Sequence, residues 1–154
     1  MLTDSQMRTG IEAAYAQALK SFNEGGVPVG SAMLIGEDLV AVGHNRRFQQ
    51  ASNILHGEMD CIERAGHKVN FTRSVLFTTL SPCLMCSNAI LLFRIPVVVV
   101  MDDENVGDYR TSEDRLRTEG VELIVSKHAP SIALNRRFQT EFRGKWMGDV
   151  GLEE

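Results

Sequence analysis

Apolar positions recur at helical spacing in the first stretch of the chain, where Met7, Ile11, Ala14, Tyr15, Leu19 and Phe22 share a face between about Asp4 and Asn23. Thr3 or Asp4 can cap that helix, and Gly25-Gly26 ends it. Pro28 introduces a strand through Met33 to Ile35, and Gly36-Glu37-Asp38 turns it into a second strand, Leu39 to Val42. After a polar loop, His56 to Ala65 reads as a helix stopped by Gly66, Ser74 to Leu80 as a strand, and Cys83 to Phe93 as a helix. Val97 to Met101 is a continuous apolar run rich in β-branched residues, the pattern of a strand covered on both faces. A helix at about Ser112 to Thr118, a strand at Val121 to Ser126 and a helix at about Ser131 to Phe142 complete the order. A hairpin followed by alternating helices and strands predicts an α/β fold, a three-layer sandwich around a mixed sheet of about five strands.

With 154 residues and no internal repeat or linker, the chain is expected to form one domain spanning 1–154. Apolar residues make up 44% and charged residues 23%, an ordinary globular balance. The net charge of -4 disfavours a nucleic-acid partner, since phosphate binding leaves a basic footprint. No apolar run approaches the roughly 18 residues of a membrane span, so no membrane association is expected. Met1 to Gly10 lacks the charged start and apolar stretch of a signal peptide. Two of the three cysteines sit as Cys83-x-x-Cys86, which suits a metal or redox motif in a reducing, cytoplasmic setting.

Two short pieces carry the candidate chemistry: His56-Gly57-Glu58 and Pro82-Cys83-Leu84-Met85-Cys86. Cys83 and Cys86 are three apart, so at a helix start both sulfurs face one side, and the helix N-terminus favours thiolates. His56 supplies a third ligand. His44, His67, His128 and Cys61 lack a partner spacing that would make a fourth. Three ligands with one position left for water point to a catalytic zinc ion, one per chain. Glu58, two residues from a ligand, is placed to carry protons without binding the metal. A lone Cys-x-x-Cys could equally be a redox pair or half a structural site, but H-x-E followed by P-C-x-x-C is the pattern of zinc deaminases. Cys61 reads as buried core and His67 as a surface residue in a turn.

Beyond these residues the chain resembles the cytidine deaminase-like superfamily, and within it the fungal-type cytosine deaminases. The resemblance is carried by Gly25 to Gly30, Gly43-His44-Asn45-Arg46-Arg47-Phe48-Gln49, Leu55 to Glu58, Thr78 to Cys83, Glu104-Asn105-Val106 and Trp146-x-x-Asp149-x-Gly151. It implies that Asn45 and the backbone N–H of Gly57 read a ring edge, and that the Ser81 carbonyl accepts from an exocyclic amino group. It also implies that Trp146 and Asp149 close the pocket, and that Glu58 shuttles protons from water to a ring nitrogen and then to departing ammonia. The expected partner is a small heterocyclic amine, cytosine foremost, and relatives imply a homodimer with Asn88 to Phe93 at the interface.

One stretch departs from the pattern. Where the fungal-type enzymes have an aromatic residue over the substrate, this chain reads Val106-Gly107-Asp108-Tyr109. Either Tyr109 takes over the lid, or Asp108 offers a carboxylate to a ring with an additional N–H, such as creatinine or isocytosine. A tRNA adenosine deaminase shares the zinc motif, and a zinc-stabilised module without catalysis is the reading from another class. The acidic balance weighs against the first and the idle Glu58 against the second.

Overall fold

The computed structural model describes residues 1–106 and 110–151. Helix α1 spans Asp4–Asn23 and starts at a capping box in which Thr3 and Gln6 satisfy each other's backbone N–H groups. A hairpin follows, β1 (Gly30–Ile35) and β2 (Asp38–His44), then α2 (Gly57–Ala65), β3 (Ser74–Thr78), α3 (Leu84–Leu92), β4 (Val97–Val100), α4 (Arg110–Thr118), β5 (Glu122–Val125), α5 (Ala129–Glu141) and α6 (Arg143–Asp149).

The sheet order is β2-β1-β3-β4-β5. β1 runs antiparallel to both β2 and β3, while β3, β4 and β5 are parallel, which gives the expected mixed five-stranded sheet. Its two faces bury different sets of side chains. Met33, Leu76, Val98 and Val100 meet Cys61, Ile62, Ala89, Ile90 and Leu116 from α2, α3 and α4. Ala32, Leu34, Phe77 and Val99 meet α1 at Ala14, with Met7, Ile11 and Tyr15 at the margin. The continuous valine run of β4 therefore splits alternately between the layers, as a doubly covered strand requires. Large side chains such as Phe77 and Met33 are wholly buried, each stabilising the fold by roughly 1.5–3 kcal/mol. A third cluster, Val27, Val29, Leu80, Val106, Phe138 and Trp146, joins α5 and α6 to one end of the sheet.

Strand bounds are wider or narrower than expected by a few residues, and β1 starts at Gly30, ahead of Met33. Gly43 explains one close approach: a Cβ there would collide with the backbone of Cys61, so α2 lies directly against β2. Helix α6 is absent from the expected elements. Gly144 and Gly148 lower its intrinsic propensity, and burial of Trp146 against Phe138 compensates. Among the described residues, no helix is long and apolar enough to cross a membrane.

Candidate active site

One end of the sheet collects everything the motifs supply. β1 begins where β2 and β3 end, so Val29, Asn45 and Thr79 become neighbours. Asn45 N donates to Val29 O at 2.9 Å, and Thr79 N donates to Gly30 O at 3.0 Å. His56 is the residue that caps α2, and Cys83 the one that caps α3, with Cys86 in the first turn. Two helix N-termini thus converge beside the carboxyl ends of parallel strands, where α/β sheets place ligands.

His56 Nδ1 lies 3.4 Å from Cys83 Sγ and 3.8 Å from Cys86 Sγ, and the sulfurs are 3.7 Å apart. An ion ~2.3 Å from each sulfur and ~2.0 Å from the nitrogen in a tetrahedron needs edges of ~3.8 Å between sulfurs and ~3.5 Å from sulfur to nitrogen. The three donors fit zinc without rearrangement. Among the described residues no other group of three or more His, Cys, Asp or Glu side chains is spaced to hold a metal.

Electrostatics suit the same reading. In the metal-free site the Cys83 thiol is lowered to about 4, chiefly by the hydrogen bond from Cys86 and against the cost of burial, with His56 adding to the effect. Burial alone would depress His56, but the bond to Cys83 and the charges of Asp149, Cys83 and Glu58 raise it to about 9. Cys86, the donor to Cys83 and fully buried, is held well above the usual thiol range. Burial pushes up the Cys61 thiol, which belongs to the core as expected.

Glu58 is 3% exposed. Its Oε1 accepts from Thr78 Oγ1 at 2.9 Å, and its Oε2 faces Cys86 Sγ at 3.4 Å. Burial, and then the negative charge of Cys83, raise its carboxyl; His56 opposes them. Thr78 was not singled out by sequence reasoning. Its signal was available: a hydroxyl on a strand buried throughout must find a partner.

Asp149 joins the metal set to the rest of the pocket. Its Oδ1 accepts from Asn45 Nδ2 at 2.8 Å and lies 3.4 Å from His56 Nε2, the ring nitrogen turned away from the thiols. Such carboxylate contacts fix the orientation of a ligating imidazole. Asn45 is engaged at both ends, since its Oδ1 accepts from Arg47 N at 2.9 Å. Gly57 stands at the first position of α2, where a Cβ would come within 2.9 Å of Val29 O.

Asn45, His56, Glu58, Ser81, Cys83 and Asp149 surround one small cavity, with Val29, Leu80 and Val150 as its apolar wall. These three apolar residues were not anticipated. Trp146 is buried in the cluster containing Val29 and Leu80, behind that wall and not among the lining residues. Asp108 and Tyr109 lie outside the described residues. Beyond Cys83 and Asp149 the site opens to a wider groove between Arg47, Leu84, Met85 and the end of α6.

The sequence model of the cytidine and deoxycytidylate deaminase zinc-binding region matches residues 4–102. The chain belongs to this family. It is 39% identical over 147 residues to the cytosine deaminase of Candida albicans, covering 94% of this chain and 96% of that one. A tRNA-specific adenosine deaminase of Streptococcus pyogenes is 36% identical over 92 residues, 58% of each chain. Among solved structures, the guanine deaminase of Nitrosomonas europaea superposes with a TM-score of 0.71 at 18% identity, over 91% of this chain and 86% of that one. That likeness speaks for the fold. The protein is a zinc-binding deaminase, and His56, Cys83 and Cys86 are the set that fits its metal.

Proposed function

We propose that this deaminase acts on a free nucleobase, hydrolysing cytosine to uracil and ammonia. The observation that carries the reading is the small capped cavity. Its polar groups converge beside the zinc ligands, and α6, the last helix, closes it with Asp149 in contact with Asn45. A wall built from paired donors and acceptors admits a ring that matches them and rejects rings that lack them. The similarity to the Candida enzyme covers 94% of the chain, whereas that to the tRNA deaminase covers 58%.

Bound zinc supplies the Lewis acidity that makes water nucleophilic near neutral pH. Glu58 Oε2 takes the proton of the attacking water and hands it to the ring nitrogen beside the amino-bearing carbon. A second proton, again delivered by Glu58, leaves with ammonia. Thr78 holds Oε1, which leaves Oε2, the oxygen beside Cys86 Sγ, on the metal side. Asn45 and the Gly57 N–H address the ring carbonyl and N–H edge, and the Ser81 carbonyl accepts from the amino group. Asp149 orients His56 and stands where the amino group departs. Trp146 backs the wall.

The reading extends to the enzyme's setting. Two thiolate ligands suit a reducing compartment, in keeping with a cytoplasmic enzyme of pyrimidine salvage. Leu84, Leu92 and Phe93 are exposed at 58%, 74% and 38% along and just after α3, which supports a homodimer through that helix. Light scattering at micromolar concentration is expected to give twice the monomer mass, and a monomer would remove that part of the reading.

Ammonia release by the zinc-loaded protein, with cytosine and creatinine side by side, tests the substrate. Cytosine turnover supports the proposal. Turnover of creatinine alone would mean that Asp108, where an aromatic lid was expected, has changed the ring the pocket accepts.

A further inference from the structure

Glu113 has no part in the chemistry above, yet it is 7% exposed in the first turn of α4. A carboxylate is seldom buried unless partners offset its desolvation. Its Oε1 accepts from Ser81 Oγ at 2.5 Å, and its Oε2 lies 3.6 Å from Arg117 Nη1 on the next turn. Ser81 is buried too, and lines the cavity.

From Thr78 to Cys83 the backbone carbonyls are occupied almost in succession. Thr78 O accepts from Met101 N and Thr79 O from Asn135 Nδ2. Leu80 O lies 3.0 Å from Thr78 Oγ1, which shares its one proton with Glu58 Oε1, while Pro82 O accepts from Ser87 Oγ and Cys83 O from Ser87 N. Among the described residues, no donor is recorded on the carbonyl of Ser81. The next residue is Pro82, so the peptide carrying that carbonyl has no N–H to tie it down. Beyond the fixed φ of Pro82, hydrogen bonds hold that peptide from the Ser81 side, by Ser81 N donating to Asp102 O at 3.0 Å and by the hydroxyl on Glu113.

We propose that Glu113 is a positioning residue: through the Ser81 hydroxyl it holds the Ser81 carbonyl as a fixed acceptor in the cavity, so that the site distinguishes a ring bearing an amino group from the same ring bearing an oxygen. The inference rests on the cytosine reading and deepens it. An amino group donates to that carbonyl. After hydrolysis an oxygen stands in its place, and two acceptors face each other. A carbonyl free to turn away would relieve that clash; a tethered one retains it. Glu113 thereby favours substrate over product at a point the reaction itself changes.

The test compares the zinc-loaded parent with Ser81→Ala, Glu113→Ala and Glu113→Gln. KM and kcat are measured with cytosine, and the Kd of uracil by calorimetry, a readout independent of turnover. Ser81→Ala and Glu113→Ala are expected to raise KM about 5-fold, the worth of one modest hydrogen bond. Neither variant should weaken uracil, so the ratio of uracil Kd to cytosine KM falls by about the same factor. Glu113→Gln keeps an acceptor for the hydroxyl and is expected to restore the parent's ratio. An unchanged ratio in both alanine variants, whatever happens to Tm, overturns the proposal and leaves the pair a structural tie. Absence of cytosine turnover by the zinc-loaded parent would instead overturn the cytosine reading, and this inference with it.

Discussion

His56, Cys83 and Cys86 come from the starts of two helices, within two short pieces of chain, and they already stand at tetrahedral spacing. Asn45, Ser81 and Asp149 come from a loop after β2, a turn after β3 and the last helix, and Asn45 meets Asp149 across 104 positions. In the first group Cys83 and Cys86 are arranged by local geometry, because a helix N-terminus dictates where residues one turn apart must point, and His56 joins them once α2 packs beside α3. The second exists only when the sheet, α5 and α6 have all assembled. Metal binding and substrate reading should therefore fail separately, and each can be broken while the other is watched.

The largest effect is expected from Cys86→Ala. Losing one of three ligands should abolish zinc retention and lower turnover by about 10⁴-fold or more, read by metal analysis beside ammonia release. Asn45→Ala probes the other group. Zinc content should remain at the parent's level while kcat/KM falls about 100-fold, because ring atoms lose a paired partner in a dry site. If zinc were lost as well, the two groups would not be separable.

A change of pH acts on the metal group through protons. In the metal-free site His56 titrates at about 9 and Cys86 well above the usual thiol range, so both carry protons near neutrality. Both must lose them to bind the ion. Zinc affinity should therefore weaken as pH falls from 8 to 7, by about ten-fold or more, in a competition titration against a chelator. An affinity that rises on acidification would contradict the assignment of His56 and Cys86 as ligands. The smallest effect is assigned to Thr78→Val, which removes the hydroxyl on Glu58 Oε1 while keeping the side-chain shape. A loss of about 5-fold in kcat with little change in KM is expected, visible in initial rates.

Legibility in the sequence follows the same division. Helix α1, the hairpin, the buried β4 and the cluster of His56, Cys83 and Cys86 were readable because each is marked by spacing or a short motif within a few residues. The residues of α6 were noted through a family resemblance, but their helix was not expected: two glycines in seven residues argue against one, and tertiary contacts, Trp146 in its apolar cluster and Asp149 on Asn45, offset them. Glu113 lies in no motif, and Thr78 stands at the edge of a resemblance block without a role of its own. Their meaning arises from which carboxylate or hydroxyl the fold sets opposite them, 20 positions away for Thr78 and 32 for Glu113. Val29, Leu80 and Val150 look like any core residue until the cavity is formed around them.

Glu58→Gln bears most directly on the central claim, because it removes the proposed proton carrier and spares the proposed ligands His56, Cys83 and Cys86. Zinc content and ammonia release from cytosine are measured on the parent and the variant together. The account predicts full zinc in both and a rate about 10³-fold lower in the variant. A parent without turnover, or a variant that keeps both its zinc and a comparable rate, would contradict it.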